Sequence, residues 1–293
     1  MDKRKRAIIP VLIVLIITAV VIGIKIANRE NPNQISGSGT IEITEVEISS
    51  KLMGKIDKLD FNEGDKVKEG DLLAVLEHNE LDAQLDQFRA GRKVSEEQIS
   101  QIEIQLKNSQ DNLNRARELF KAGSYSQQQL DSAETQYKVL SSQYESAKQG
   151  YNQIAAQYQY VESQLNNAYL KSPISGVILQ KNAEKGEVVS PGMSVMTVGD
   201  LSRPWLKIYI PETKLGKVKL NDKAVVKVDT FPDKKYEGKV VFISSKAEFT
   251  PKNVQTKEER VRLVYAVKIA LENKDEELKA GMPADGYISV KND

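Results

Sequence analysis

Ser50-Lys-Leu-Met-Gly54-Lys-Ile56 … Gly64-Asp-Lys-Val67-Lys-Glu-Gly70 is answered later in the chain by Ser172-Pro-Ile-Ser-Gly176-Val-Ile178 … Gly186-Glu-Val-Val189-Ser-Pro-Gly192. The offset is 122 residues throughout, setting Gly54 on Gly176, Ile56 on Ile178, Gly64 on Gly186, Val67 on Val189 and Gly70 on Gly192. Glycine at three matched positions points to turns that need positive φ or a close backbone approach, with short strands between them. Two half-units of that kind are expected to pair into one small β-sandwich. Whatever lies between them must leave and return at nearly the same place.

What lies between has a helical period. From Asn79, the positions Leu81, Leu85, Phe88, Arg92, Ser95, Ile99, Ile102, Leu106, Ser109, Leu113, Ala116 and Phe120 are spaced alternately by four and three. The signal breaks at Ala122-Gly123-Ser124-Tyr125. It resumes as Leu130, Ala133, Tyr137, Leu140, Tyr144, Ala147, Tyr151, Ile154, Tyr158, Val161, Leu165 and Ala168. The remaining positions are mostly Gln, Asn, Ser, Glu and Lys. Such a seam with a polar exterior predicts an antiparallel coiled-coil hairpin. Its arms, Asn79–Lys121 and Ser126–Ala168, hold 43 residues each and would each reach about 65 Å. The tyrosines at 137, 144, 151 and 158 fall one heptad apart, as core positions do, rather than as a ligand-stacking ladder.

Outside the repeat, the N-terminus carries Lys3, Arg4, Lys5 and Arg6 before an uncharged, mostly apolar run of 18 residues, Ala7 to Ile24. That length approaches a bilayer core. Lys25-Ile-Ala-Asn-Arg29 follows in place of a small-x-small cleavage site, so an uncleaved anchor is favoured over a removed signal peptide. The basic cluster should stay in the cytoplasm, leaving the body on the far side. Asn28 to Gly39 is rich in turn formers and reads as a linker. After Gly199-Asp200, Pro204–Pro211, Ala224–Val228, Tyr236–Ser244, Leu263–Leu271 and Ala284–Val290 read as strands and Glu212–Val218 as a short helix, which suggests a β-barrel.

Composition narrows the chemistry. The net charge is +1, from 42 basic and 41 acidic residues, with no basic stripe interleaved with aromatics, which argues against nucleic acid. There is no cysteine and one histidine, His78. Thiol catalysis, disulfides, Cys/His zinc sites and any Ser-His-Asp triad not built on His78 are thereby removed. His78 falls at the junction of the first repeat and the helix, where a structural role is expected. Glu42, Glu45, Glu47, Asp57, Asp60 and Glu63 are scattered over strands and turns and form no paired catalytic site. An enzyme is not expected, nor a metal.

Together these features resemble the periplasmic adaptor (membrane fusion, HlyD-like) proteins of tripartite bacterial efflux and secretion systems. The Ser-Pro-Ile-Ser-Gly-Val-Ile run at 172–178 resembles the second half of that family's split lipoyl-like sandwich. The stretch Phe249-Thr-Pro-Lys-Asn-Val-Gln-Thr-Lys-Glu-Glu-Arg260, followed by Leu263-Val-Tyr-Ala-Val-Lys-Ile, resembles the branch paired with ABC exporters. The chain's stop at Asp293 is expected to favour that branch over adaptors of RND pumps, which carry a further membrane-proximal domain. The resemblance implies an elongated, multidomain α+β chain. Its expected parts are a cytoplasmic stub and transmembrane anchor (1–27), a linker (28–39), a first lipoyl-like half (40–78), the hairpin (79–168), a second lipoyl-like half (169–200) and a β-barrel (201–293).

By the same resemblance, the chain links an inner-membrane exporter, an ABC permease, to a TolC-like outer-membrane channel for export of drugs or other small molecules. It would work as a homo-hexamer, held in the inner membrane by a single pass with its body in the periplasm. The alternatives are an adaptor of an RND-type or other secretion pump, and a membrane-tethered coiled-coil scaffold without a transport role. A lipoyl or biotinyl carrier would modify a lysine in the turn between the halves. The hairpin replaces that turn, so no cofactor is expected.

At the hairpin tip, Arg115, Leu119 and Ser126 match the Arg-x3-Leu-x6-Ser spacing by which the family meets the channel. Carried over, Arg115 would bond carbonyls or carboxylates at the channel mouth, Leu119 would pack between channel helices, and Ser126 would add a hydrogen bond. The plainer readings are a solvated Arg115, a Leu119 packed beside Phe120, and Ser126 or Ser124 as helix N-cap, each with a Gln three positions on. Gly54, Gly64, Gly70, Gly176, Gly186 and Gly192 are expected to be structural.

Overall fold

The computed structural model describes residues 34–249 and 263–290. The expected anchor, and nearly all of the stretch 249–260 on which the branch resemblance rests, lie outside the described residues. Among the described residues no helix is long and apolar enough to cross a membrane. The chain divides into two units, Glu45–Gly199 and the described residues on either side of it.

The first unit is built from the repeat. Its strands are the end of β1 (Gln34–Ser49), β2 (Gly54–Leu59), β3 (Lys66–Val67), β4 (Leu72–Leu76), β5 (Tyr169–Lys171), β6 (Gly176–Lys181), β7 (Val188–Val189) and the start of β8 (Ser194–Pro211). One sheet has the order β5-β4-β2-β7, and β3-β6-β8 forms the other. Each copy lends its two-residue strand to the other: Gly54 stands opposite Val189, and Gly176 opposite Val67. The loop hydrogen bonds repeat as well. Gly64 N–H donates to the Ile178 carbonyl and Gly186 N–H to the Ile56 carbonyl, both at 2.9 Å. Ile56, Leu73, Leu76, Ile178, Val189 and Met196 fill the space between the sheets and are fully buried.

The repeated glycines fall into two kinds. Gly64 and Gly186 have φ of 91° and 93°, and Gly70 and Gly192 have 89° and 86°, values that favour glycine. Gly176 has ordinary φ, but a Cβ there would overlap the Gly199 carbonyl oxygen, so it is a close approach. Its counterpart Gly54 is looser, with Leu76 Cβ 3.5 Å from where its own Cβ would stand.

Between β4 and β5 run two helices, α1 (Asn79–Lys121, 43 residues) and α2 (Gln127–Asn167, 41 residues). They are antiparallel, with Arg117 reaching Glu134 at one end and the Arg92 guanidinium 4.7 Å from the Tyr158 ring centre towards the other. Leu85, Ser109, Leu113 and Ala116 of α1 and Leu140 and Val161 of α2 are buried along the pair. Arg92, the one charged residue at the expected seam positions, is kept there by stacking on Tyr158. At the base, His78 Nδ1 lies 2.7 Å from Asp82 Oδ2 and its Nε2 lies 3.2 Å from the Tyr169 hydroxyl, joining helix to strand.

The second unit is a six-stranded antiparallel barrel. It uses the first part of β1, the last part of β8, and β9 (Lys223–Val228), β10 (Tyr236–Phe249), β11 (Leu263–Leu271) and β12 (Pro283–Ser289), in the order β1-β12-β9-β10-β11-β8. β1 and β8 meet at Gly37 and Gly39, where a Cβ on Gly39 would overlap the Lys207 carbonyl. A short helix, α3 (Glu212–Leu215), follows β8. Leu206, Ile208, Val226, Val240, Val267, Ile269 and Ile288 make the core. Asn273 is buried beside it with its amide satisfied: Nδ2 donates to the Leu201 and Leu278 carbonyls, and Oδ1 accepts from Leu278 N–H.

The structure corrects one boundary. Gln34–Gly39, expected in the linker, is strand, paired residue by residue with Ser289–Ala284. Residues as far as Thr44 belong with the barrel rather than with the first half of the sandwich. The turn-forming glycines there serve close packing against β8, not flexibility.

Candidate partner-binding site at the helical turn

The turn between α1 and α2 is closed at both ends by the backbone. On the α1 side Gly123 takes φ of 75°. Its N–H donates to the Phe120 carbonyl at 3.0 Å, and Ser124 N–H donates to the Leu119 carbonyl at 2.9 Å. This is the paired closure of a Schellman motif, and glycine is the residue that enters it without strain. On the α2 side Ser126 is the N-cap. Its hydroxyl accepts from Gln129 N–H at 3.3 Å, and Gln129 Oε1 accepts from Ser126 N–H at 2.8 Å, a reciprocal capping box. Five residues, Ala122 to Ser126, therefore join two long helices with no slack.

Arg115 and Leu119 are four apart and share a face of α1. Arg115 is exposed, with Nη2 donating to Asn112 Oδ1 at 2.5 Å. Leu119 is 39% exposed, and Phe120 and Tyr125 are each 37% exposed. Phe120, expected in the seam, is thus only partly covered where the helix pair runs out into the turn. Ser126 stands across the turn from Leu119 with its hydroxyl already engaged by Gln129. Of the two serines weighed as cap, the structure selects Ser126.

Two features were not read from the sequence. Arg117 Nη2 meets Glu134 Oε1 at 3.2 Å and pins the helices near the turn. Tyr125 joins Leu119 and Phe120 as an exposed apolar group on the turn itself. The first needs the register between helices, which neither helix carries alone. The second was legible as an aromatic two residues past a glycine, between two serines. Among the described residues no group of three or more His, Asp or Glu side chains gathers as for a metal.

The turn thus carries a guanidinium and partly exposed Leu119, Phe120 and Tyr125 on a backbone closed at both ends. A family model described as the CzcB-like barrel-sandwich hybrid domain matches residues 44–200, and one described as the YknX-like β-barrel domain matches 206–285. The chain is 28% identical to the UPF0194 membrane protein YE2891 of Yersinia enterocolitica, covering 96% of this chain and 97% of that one. It is 29% identical to the UPF0194 membrane protein YbhG of Salmonella arizonae, covering 96% of each. Among solved structures, MacA from Actinobacillus actinomycetemcomitans superposes with a TM-score of 0.73 at 21% identity, over 88% of this chain and 79% of that one. The membrane fusion protein Spr0693 from Streptococcus pneumoniae R6 superposes with a TM-score of 0.64 at 19% identity, over 88% of this chain and all of that one. With the split repeat, the helix pair and the barrel in this order, the chain belongs to the family of proteins with a CzcB-like barrel-sandwich hybrid domain, which it joins to a YknX-like β-barrel domain.

Proposed function

We propose that this chain is the periplasmic adaptor of a tripartite exporter, linking an inner-membrane transporter of the ABC type to a TolC-like outer-membrane channel. The run Ala7–Ile24 anchors it in the inner membrane. The helix pair acts as a coiled-coil arm, and several arms, six in the working assembly, bundle towards the channel. The transporter supplies the energy, and the chain performs no chemistry on the cargo.

The observation that carries this reading is the helical turn. A 41-residue helix sets it about 60 Å from the sandwich. There Leu119, Phe120 and Tyr125 are kept partly in water by a backbone closed at both ends. Apolar side chains held rigidly in solvent contribute little to the fold and fit a partner's groove. In this reading Leu119 fills the groove, Arg115 bonds carbonyls or carboxylates around it, and Ser126 shapes the turn.

The test compares Arg115→Glu and Leu119→Asp with Lys138→Glu, a reversal about three helical turns into α2 from the tip. The tip changes should abolish export and cross-linking to the outer-membrane channel, while helix content and transporter binding stay near normal. Lys138→Glu should be mild. Equal, small effects from all three would show that the turn contacts nothing. Export unchanged on deleting the whole chain would make it a scaffold.

A further inference from the structure

We propose that the barrel end at which β1 enters rests on an anionic lipid surface, through Leu220 and the lysines around it. The proposal rests on the anchor reading above. Nine residues separate Ile24 from Gln34, which limits the reach from membrane to barrel to about 35 Å at full extension.

The segment after β8 closes this end of the barrel. Leu215 packs against the core and Val218 is buried in it. Asn221 N–H then donates to the Val240 carbonyl at 2.8 Å, and Val240 N–H to the Asp222 carbonyl at 2.9 Å. At Lys223 the chain enters β9, whose Ala224 stands opposite Ile288, the residue opposite Ile35 near the start of β1. Gln34 and this segment therefore share one end of the barrel.

The turn Lys219–Asp222 points a large apolar side chain outward. Asn221 takes φ of 69°, and the Asp222 carboxylate accepts from Lys219 N–H at 2.7 Å, so the turn is held without help from Leu220. Leu220 is nevertheless 58% exposed. Lys217, Lys219 and Lys223 flank it in the sequence at exposed positions, and Lys214 precedes them half-buried. Over Glu212–Lys223 there are four lysines against two acids.

The far end of the barrel has the opposite balance. Its two connections, 229–235 and 272–282, carry six acids against four lysines. Among the described connections the balance is positive at the end where β1 enters and negative at the other. An exposed leucine flanked in the chain by lysines suits the boundary between phosphate headgroups and acyl chains, where the ammonium groups stay in the headgroup layer. A tether this short keeps the surface within reach, so weak contacts suffice.

The chain has no cysteine, so Leu220→Cys places a single environment-sensitive fluorophore on the full-length protein. That protein is reconstituted in vesicles of phosphatidylcholine with or without phosphatidylglycerol. The emission should shift to the blue, and be quenched by shallow spin-labelled lipid, in the anionic vesicles alone. Both signals should vanish in about 1 M salt, where the screening length is about 3 Å. The same label at Lys274→Cys, on the far end, should report water throughout. Lys217→Glu with Lys219→Glu should abolish the response while the chain still floats with the vesicles, which reads the anchor. A label that stays in water on a floating chain overturns the lipid contact and leaves the adaptor reading standing. A chain that does not float overturns the anchor and this contact with it. A blue shift that needs a co-reconstituted transporter assigns the surface to that protein and overturns the lipid contact.

Discussion

Ser50 and Ser172, 122 residues apart, do the same work in the two halves of the sandwich. Both are buried, and each hydroxyl donates to the carbonyl two residues on, Ser50 to Leu52 at 2.6 Å and Ser172 to Ile174 at 2.7 Å. Each N–H donates at 2.9 Å to the opposite turn, Ser50 to Met193 and Ser172 to Asp71. The repeat is thus conserved in its hydrogen bonds and not only in its glycines. Ser50→Ala and Ser172→Ala should each cost about 1 kcal/mol, the usual net worth of one such bond. Ser50→Ala should cost slightly more, because its hydroxyl also accepts from Leu52 N–H at 3.2 Å. Denaturation midpoints of the two variants would check this, and a large inequality would break the equivalence.

Gly39 carries a different kind of constraint. A Cβ there would overlap the Lys207 backbone, which no side-chain rearrangement relieves. Gly39→Ala should push β1 away from β8 and cost about 1–3 kcal/mol, in the range of overpacking. Gly216 is the control: its φ is −59° and nothing lies within 4 Å of the added carbon. Gly216→Ala should stay within about 0.5 kcal/mol of the parent. Thermal melting of the two variants separates these outcomes.

The barrel also contains a pH-dependent contact. Lys234 Nζ donates to both oxygens of Glu277, at 2.6 and 2.8 Å, and the Tyr236 hydroxyl donates to Oε2 at 3.1 Å. The lysine bond first, then the tyrosine bond, hold the Glu277 carboxyl below its ordinary value of 4.5. The Glu277 bond holds Lys234 above 10.5. The lowered carboxyl contributes stability that is present above about 4.5 and lost as pH falls through its folded value. The raised lysine contributes below about 10.5 and loses it as pH rises through its folded value. The difference in melting temperature between the parent and Glu277→Gln should therefore be flat around neutrality and shrink in acid. A Glu277 carboxyl that titrates by NMR above 4.5 would contradict the contact.

The sandwich was legible because its glycines answer to φ, a property of single residues. Gly64, Gly70, Gly186 and Gly192 all take the left-handed conformation their spacing implied. The start of β1 was not legible, because Ser-Gly-Ser-Gly has the composition of a linker whether or not another strand crosses it. Only the position of Lys207 makes Gly39 a packing residue. β8 shows the same limit. Gly199-Asp200 reads as a break, yet Ser194–Pro211 is one strand, with Asp200 turned to accept from Ser202 N–H at 2.9 Å. At the turn, the N-cap and the glycine were local signals. The Arg117–Glu134 pair depends on how two helices slide past each other, and no local pattern encodes that.

The arm itself is tested by two adjacent residues with opposite expected signs. Gly150 is an exposed glycine inside α2, and an added Cβ meets nothing within 4 Å. Gly150→Ala should stabilise the helix by about 0.5–1 kcal/mol, since alanine restricts the unfolded chain and suits a helix interior. Tyr151 is half-buried between the helices, and proline there removes a backbone donor and clashes with the carbonyl four residues back. Tyr151→Pro should cost about 3 kcal/mol or more within α2. Helical circular dichroism on heating reads both changes. The barrel, a separate unit, should melt unchanged in each. If the arm carries the contact with the outer-membrane channel, export should survive Gly150→Ala and fail with Tyr151→Pro. Full export by a well-expressed Tyr151→Pro chain would show that a straight arm is not needed, and would remove the helix pair from the conduit.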